Sequence, residues 1–294
     1  MSITFFNNIK DAIAHLNPQE TRDMADEPVR LVLVADDDVS YRQMENYFTP
    51  VHLSNDKRAE VANVVYRSSS AAGANTLSTG QTIQVYARGV AKPVEAFVFH
   101  PENPEHTVND ILAAYPKFAI ALARHIYPFR APVVEGLIKK ISKENALFSL
   151  ATAIPDMIPF LTLPWAIEEF ASDTAVLTAN QVRLAFLLAA ASDRDIGYRE
   201  QKGELASILL GAFGWRAIAR ELVGKIPFGG GLLPKAAIAY AGTRVAGMSL
   251  ERYYRIGYGF TREERQVAYA DALERGKSIA GAMIHGVKQR QIAL

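Results

Sequence analysis

Lys235-Ala-Ala-Ile-Ala-Tyr-Ala-Gly-Thr-Arg-Val-Ala-Gly247 is the stretch whose reading decides the fold. At helical spacing Ala237 lies one turn before Ala241, Gly242 before Ala246, and Thr243 before Gly247. Small side chains therefore line helical faces, and such faces let two helix backbones approach closely, in water or in lipid. A bundle of this size needs tight crossings. Ala237, Ala241, Gly242, Ala246 and Gly247 are accordingly expected to form a helix-packing face, with self-association through the same face as the sharper alternative.

Working outward, nearly everything past residue 107 reads as helix. Thr107-x-x-Asp110, Thr178-x-x-Gln181 and Thr261-x-x-Glu264 each set a hydroxyl three residues ahead of a carboxylate or amide, the capping-box pattern of a helix start. Prolines at 116, 128, 132, 155, 159, 164, 227 and 234 cut the region into short elements. Helices are expected near 108–126, 131–153, 160–172, 178–193, 199–224, 233–256 and 262–284. An amphipathic helix is also expected at the start, where Phe5, Ile9, Ile13 and Leu16 share a face. Its polar face is not lysine-rich, so it should pack on the protein body.

From Val29 to His100 the texture changes. Val29–Ala35, Val61–Tyr66, Thr82–Arg88 and Val94–Phe99 are short β-rich runs separated by turn-forming stretches. Between the first two, Tyr41, Met44, Tyr47 and Phe48 fit one helical face. The expected fold is α+β: a small N-terminal α/β domain of about four strands (residues 1–105), then a predominantly α-helical bundle (106–294).

Composition narrows the functions. The 294 residues are 49% apolar and 21% charged, with a net charge of +1. That is globular, and no global field exists to attract nucleic acid. The chain has no cysteine, which removes disulfides, thiolate nucleophiles and cysteine-ligated metals and suits a reducing compartment. Met1–Lys10 has no cationic start before an apolar run, so no secretory signal is expected.

A membrane span needs about 20 consecutive apolar residues. In Ala146–Ile167, Asp156 and three prolines interrupt the run; the runs at Leu205–Trp215, Ile226–Gly242 and Ser278–Val287 are short or meet a charge. These lengths suit buried helices. Ile158-Pro-Phe-Leu-Thr-Leu-Pro-Trp165 is the exception: Phe160 and Trp165 could form an aromatic wedge for membrane or partner contact.

Tests for chemistry end without a complete constellation. A P-loop would follow the first strand with glycines and a lysine, but Leu31-Val-Leu-Val-Ala35 runs into Asp36-Asp-Asp38, whose carboxylates repel phosphate. The same acids resemble the opening of a response-regulator receiver, yet no run here ends in the required phosphate-accepting aspartate. Asp36–Asp38 read as a helix start, where acids favour the positive dipole end; a divalent-cation site is the alternative. Gly229–Gly231, with Lys225 and Lys235 nearby, reads as a helix-breaking loop, with an anion-binding nest ahead of a helix as the alternative. His100 and His106 lack the spacing of a metal pair on one helix. Glu168, Glu169 and Asp173 read as a charged helix edge, and Arg183, Arg216 and Arg220, set among apolar residues, should pair with such acids. No Gly-x-Ser-x-Gly elbow exists. No catalytic residues, cofactor or metal are assigned.

Three stretches carry a family likeness: Asn145-Ala-Leu-Phe-Ser-Leu-Ala-Thr-Ala-Ile-Pro-Asp-Met-Ile-Pro159 with Leu163–Thr174; Leu177-Thr-Ala-Asn-Gln-Val-Arg183; and Gly214–Pro227 with Lys235–Thr243 and Glu251–Tyr254. Over residues 110–258 the pattern resembles the bacterial domain-of-unknown-function family 697. That domain occurs alone, in YcjF-type membrane proteins, and beside Era-like GTPase domains. The resemblance implies a helical, membrane-associated domain linked to a GTPase, and supplies no catalytic residues. The expected function is a non-enzymatic scaffold or adaptor that binds a protein partner or itself as a homo-oligomer, in the cytoplasm or peripherally on the inner membrane face. An integral membrane protein of a transport or stress system, and a metal-dependent enzyme using Asp36–Asp38, are the alternatives.

Overall fold

Strand β1, Val29–Val34, is buried at every position but Arg30. Such a continuous apolar run belongs to a central strand covered on both faces. A computed structural model describing residues 3–69, 81–94, 96–152, 173–209 and 232–292 places it there. Its neighbours are β2, Val65–Ser68, and β3, Gln81–Tyr86; β4, Phe97–Val98, pairs with β3. The order is β2-β1-β3-β4 and every pairing is parallel, with Leu31 facing Val65 on one side and Ile83 on the other. Parallel neighbours need crossovers, and helices α3, Asp38–Phe48, and α4, Asn55–Val61, make the first.

The expected aromatic face of α3 is what covers the sheet. Tyr41, Met44 and Phe48 are buried, and Phe48 stacks on Phe129 at 6.1 Å and meets Phe99 at 5.9 Å. The Tyr41 hydroxyl sits 2.7 Å from the Leu33 carbonyl and 2.8 Å from that of Ser68, so it ties α3 to the carboxyl ends of β1 and β2. The second strand is shorter than the sequence suggests, because Val61 closes α4 and the chain becomes extended only at Val65.

The remaining α-helices among the described residues are α1, Ile3–Ala14; α2, Pro18–Ala25; α5, Pro104–Ala114; α6, Ala119–His125; α7, Tyr127–Ala151; α8, Asp173–Ala191; α9, helical over 202–209; α10, Leu232–Ile256; and α11, Arg262–Ile292; the helix expected near 160–172 lies outside them. The architecture is therefore α+β, a small parallel sheet with its helices followed by a helical region. Pro132 does not mark the start of its helix as expected, since α7 begins at Tyr127 and runs through it. On α1, Ile9 and Ala12 are buried against Ala175 and Ala179 of α8, with Ile13 and Leu16 alongside.

Of the three expected capping boxes one exists. Thr261 and Glu264 bond each other's backbone N–H groups at 3.2 and 2.9 Å. Thr107 and Thr178 lie inside helices that begin earlier: α5 starts on Pro104, and Thr178 donates to the Thr174 carbonyl within α8. Thr178 thus bonds the preceding turn, as a mid-helix threonine does, whereas Thr107 Oγ1 donates to the Val98 carbonyl at 3.0 Å and ties α5 to β4.

The chain divides into two compact units at places other than residue 105/106. One comprises Gln19–Glu135 with Ala190–Arg194, and the other Met1–Pro18, Gly136–Ala189 and Asp195–Leu294. The sheet unit extends past residue 105 because Phe129 completes its aromatic core. Phe48 is fully buried there, so Phe48→Ala should cost about 3–5 kcal/mol in urea denaturation. A loss under about 1 kcal/mol would contradict the assignment of this cluster as the core of the unit.

Candidate functional site

The three stretches that stand out in the sequence each send a polar side chain to one place inside the helical unit. Asn145 of α7 and Thr243 of α10 are buried, as are Asn180 and Gln181 of α8. Asn145 Nδ2 donates to Thr243 Oγ1 at 2.7 Å, and Gln181 Nε2 donates to the same oxygen at 3.3 Å. Thr243 Oγ1 donates in turn to the Ala239 carbonyl at 2.9 Å. The hydroxyl thus uses its one proton and both acceptor positions. Asn180 Nδ2 donates to Asn145 Oδ1 at 2.8 Å. Arg183 then reaches Asn180 Oδ1 at 3.4 Å while pairing with Glu144 Oε2 at 3.1 Å.

Arg183 therefore pairs with an acid, as its apolar setting requires, and the partner is Glu144. A second buried amide, Gln201, accepts from the Gly197 N–H and donates to the Ala185 carbonyl and to Tyr254 Oη. Glu144 and Gln201 escape a sequence reading because single polar residues carry no periodicity.

The small residues divide by role. Ala237 and Ala241 are buried against Tyr269, Ala272 and Leu273 of α11. A Cβ on Gly276 of α11 would stand 2.8 Å from the Ala237 carbonyl oxygen, so these two backbones meet there. At Gly247 a Cβ would stand 2.9 Å from Ile138 Cγ1 and 3.0 Å from Leu184 Cδ2, which brings α7, α8 and α10 together. Gly242 is buried with nothing within 4 Å of its absent Cβ. The stripe at Ala237, Ala241 and Gly247 serves packing within the chain.

Beside this core an open cleft of about 420 Å³ lies among α9, α10 and the turn before α11. Ile208, Leu250, Tyr253 and Phe260 give it apolar walls, with Glu204 and Arg265 at the polar side, and half-buried Ala246 reaches it. The turn is fixed to α10. Gly257, at φ 87°, returns its N–H to the Tyr253 carbonyl, and the Phe260 N–H donates to Ser249 Oγ at 2.9 Å. Arg252 bonds Glu264 at 2.7 Å and lies over the Tyr258 and Phe260 rings. Its guanidinium holds the Glu264 carboxyl below the usual range. Tyr253, Ile256 and Tyr258 remain substantially exposed at the end of α10.

The acidic run is a cap. Asp37 Oδ1 accepts from the Val39 and Ser40 N–H groups at 2.9 and 2.8 Å, and the bonds from Ser40 hold its carboxyl below the ordinary value. No group of three metal-ligating side chains stands together among the described residues; His100 and His106 face each other at 5.7 Å, with His106 directed to Asp110. Phe160, Trp165, Glu168, Glu169, Arg216, Arg220, Lys225 and Gly229–Gly231 lie outside the described residues, as does the side chain of Asp173. Among the described residues one helical window, Thr174–Ala191, is long and apolar enough to cross a membrane, and 78% of it is buried within the protein.

No family model, curated protein or solved structure matches the chain.

Two sets of variants separate these roles. Asn145→Ala strands the Asn180 amide and should cost about 1–3 kcal/mol in urea denaturation. Gly276→Ala should cost about 1–3 kcal/mol by forcing α10 and α11 apart, whereas Gly242→Ala should gain about 1 kcal/mol of helix propensity. Equal effects at the two glycines would refute the division.

Proposed function

We propose that this chain is a non-enzymatic helical scaffold or adaptor that binds a protein partner, in the cytoplasm or on the inner face of the membrane. The open cleft beside Tyr253, Ile256 and Tyr258 carries the reading. Its walls are apolar and aromatic with a polar rim, the composition that anchors partner side chains at interfaces. The buried amides around Thr243 are all engaged in holding helices, which gives such a surface a rigid support. Ala237 and Ala241 are buried against α11, so pairing with a second copy would use the cleft face in their place. The family likeness of residues 110–258 adds a GTPase to the partners worth testing.

A photo-crosslinking residue placed at Tyr253 should give one discrete protein adduct in cells. The same probe at Val94, which is 97% exposed in the sheet unit, should give none. With the probe kept at 253, Ile256→Ser with Tyr258→Ser should abolish the adduct while leaving the melting temperature within about 2 °C, as exposed substitutions do. Matching patterns at 253 and 94 would sink the proposal. An adduct of two copies of this chain would assign the cleft to self-association.

The second reading is an integral membrane protein, for which the window Thr174–Ala191 has the length and apolar composition, as a buried core helix also does. Interhelical amide bonds of the kind around Thr243 also hold helices together in lipid. Carbonate extraction separates the two: release into the soluble fraction supports a peripheral or cytoplasmic adaptor, and retention until detergent is added supports the membrane reading.

A further inference from the structure

The sheet unit holds a second pocket, of about 320 Å³, that the scaffold reading does not use. It lies where the loop after α3 leads into α4. Its side chains come from elements far apart in sequence: His52 from the loop after α3, Lys57 from α4, His125 from the end of α6, Arg130 from α7, and Asp193 and Arg194 from the residues after α8.

The charge balance is one-sided. Asp193 is the pocket's one carboxylate among its lining residues. It already bonds Lys57 Nζ at 2.6 Å and stands 3.9 Å from Arg124 Nε. Glu60, outside the pocket, shares Lys57. Arg130 is half-buried, and its Nε and Nη2 donate to the Ala123 and Arg124 carbonyls at 3.4 and 3.3 Å. Those bonds fix the plane of the guanidinium without neutralising it. Asp193 is held at φ 57°, the described residues' one non-glycine case of positive φ, a conformation that asparagine and aspartate tolerate best. Such backbone positions cluster at ligand sites.

We infer that this pocket binds a phosphate dianion, either free phosphate or the phosphate of a small metabolite, with Arg130 and Lys57 as its principal donors. A fixed guanidinium fork is suited to two phosphate oxygens, and the ammonium of Lys57, shared with Asp193 and Glu60, adds a point charge. His52 and Tyr127, in edge contact at 5.3 Å, form an aromatic rim for whatever the phosphate carries. The surrounding field agrees. Burial, then Arg124 and Lys57, push the His125 imidazole below its ordinary value, while burial pushes the Arg130 guanidinium down. A bound dianion would relieve both. The inference rests on this pocket alone and is independent of the cleft in the helical unit.

Isothermal titration of the full chain with inorganic phosphate, with chloride compensating ionic strength, tests it. Saturable binding is expected, weakened about 10-fold or more by Arg130→Met, as loss of a charge-assisted bond implies. Asp193→Asn keeps a residue suited to the backbone conformation and removes the competing carboxylate, so it should tighten binding. That variant, with Lys57→Met, decides the matter should Arg130→Met fail to fold. Glycerol phosphate and adenosine monophosphate separate the sources: tighter binding than inorganic phosphate indicates a phosphorylated metabolite, and weaker binding indicates free phosphate. Citrate should bind more weakly than either. No saturable heat up to about 10 mM phosphate overturns the inference, as does an Asp193→Asn variant that binds no better than wild type.

Discussion

The helical unit depends on the hydroxyl of Thr243. Faces of alanine and glycine let helices come close, but they offer few features to stop one helix sliding or turning against another. A hydroxyl that must accept from Asn145 and Gln181 while donating to the Ala239 carbonyl permits one arrangement of α7, α8 and α10. Each such bond nets only about 1 kcal/mol, whereas a buried amide left without its partner costs more than that. The network therefore discriminates between registers more strongly than it adds to stability. The chain of bonds from Glu144 through Arg183 to Asn180 continues the constraint toward the surface.

The glycines complement this constraint, each in its own way. Gly276 and Gly247 stand where another helix occupies the space of a side chain, while Gly242 stands where none does. Equal residue types in one stripe thus have unequal consequences, and only the neighbouring helices reveal which is which. The resulting frame holds α10 along its length, so the segment that carries Tyr253 and the pinned turn after it form a firm wall for the cleft.

Much of this was legible in the sequence because it depends on periodicity. The unbroken apolar run Val29–Val34 marked a strand covered on both faces, and the spacing of Tyr41, Met44 and Phe48 marked the helix face that covers it. Thr261 and Glu264 announced a helix start correctly, since a turn did precede them. The same pattern at Thr107 and Thr178 misled, because a hydroxyl three residues before a carboxylate or amide occurs equally well inside a helix whose start lies upstream. The stretches around Asn145, Leu177–Arg183 and Thr243 were distinctive as strings, but nothing in a string says that their polar members meet. The second pocket was invisible for the same reason. His52, His125, Arg130 and Asp193 are isolated in sequence and acquire meaning only when the chain brings them to one wall.

The ion pair between Lys57 and Asp193 joins residues 136 positions apart, and it has consequences for how the chain is made. The sheet is entirely parallel, so none of its strands can zip to the next through a tight turn, and each pairing waits for a crossover. Even when β4 has emerged from the ribosome, the unit lacks Ala190–Arg194, the last residues of α8 and the three that follow it. The N-terminal unit is thus completed by residues synthesised late, and its pocket takes its final form only after much of the helical unit has been translated. A chain cut short before α8 ends would retain all four strands but have no carboxylate at the latch.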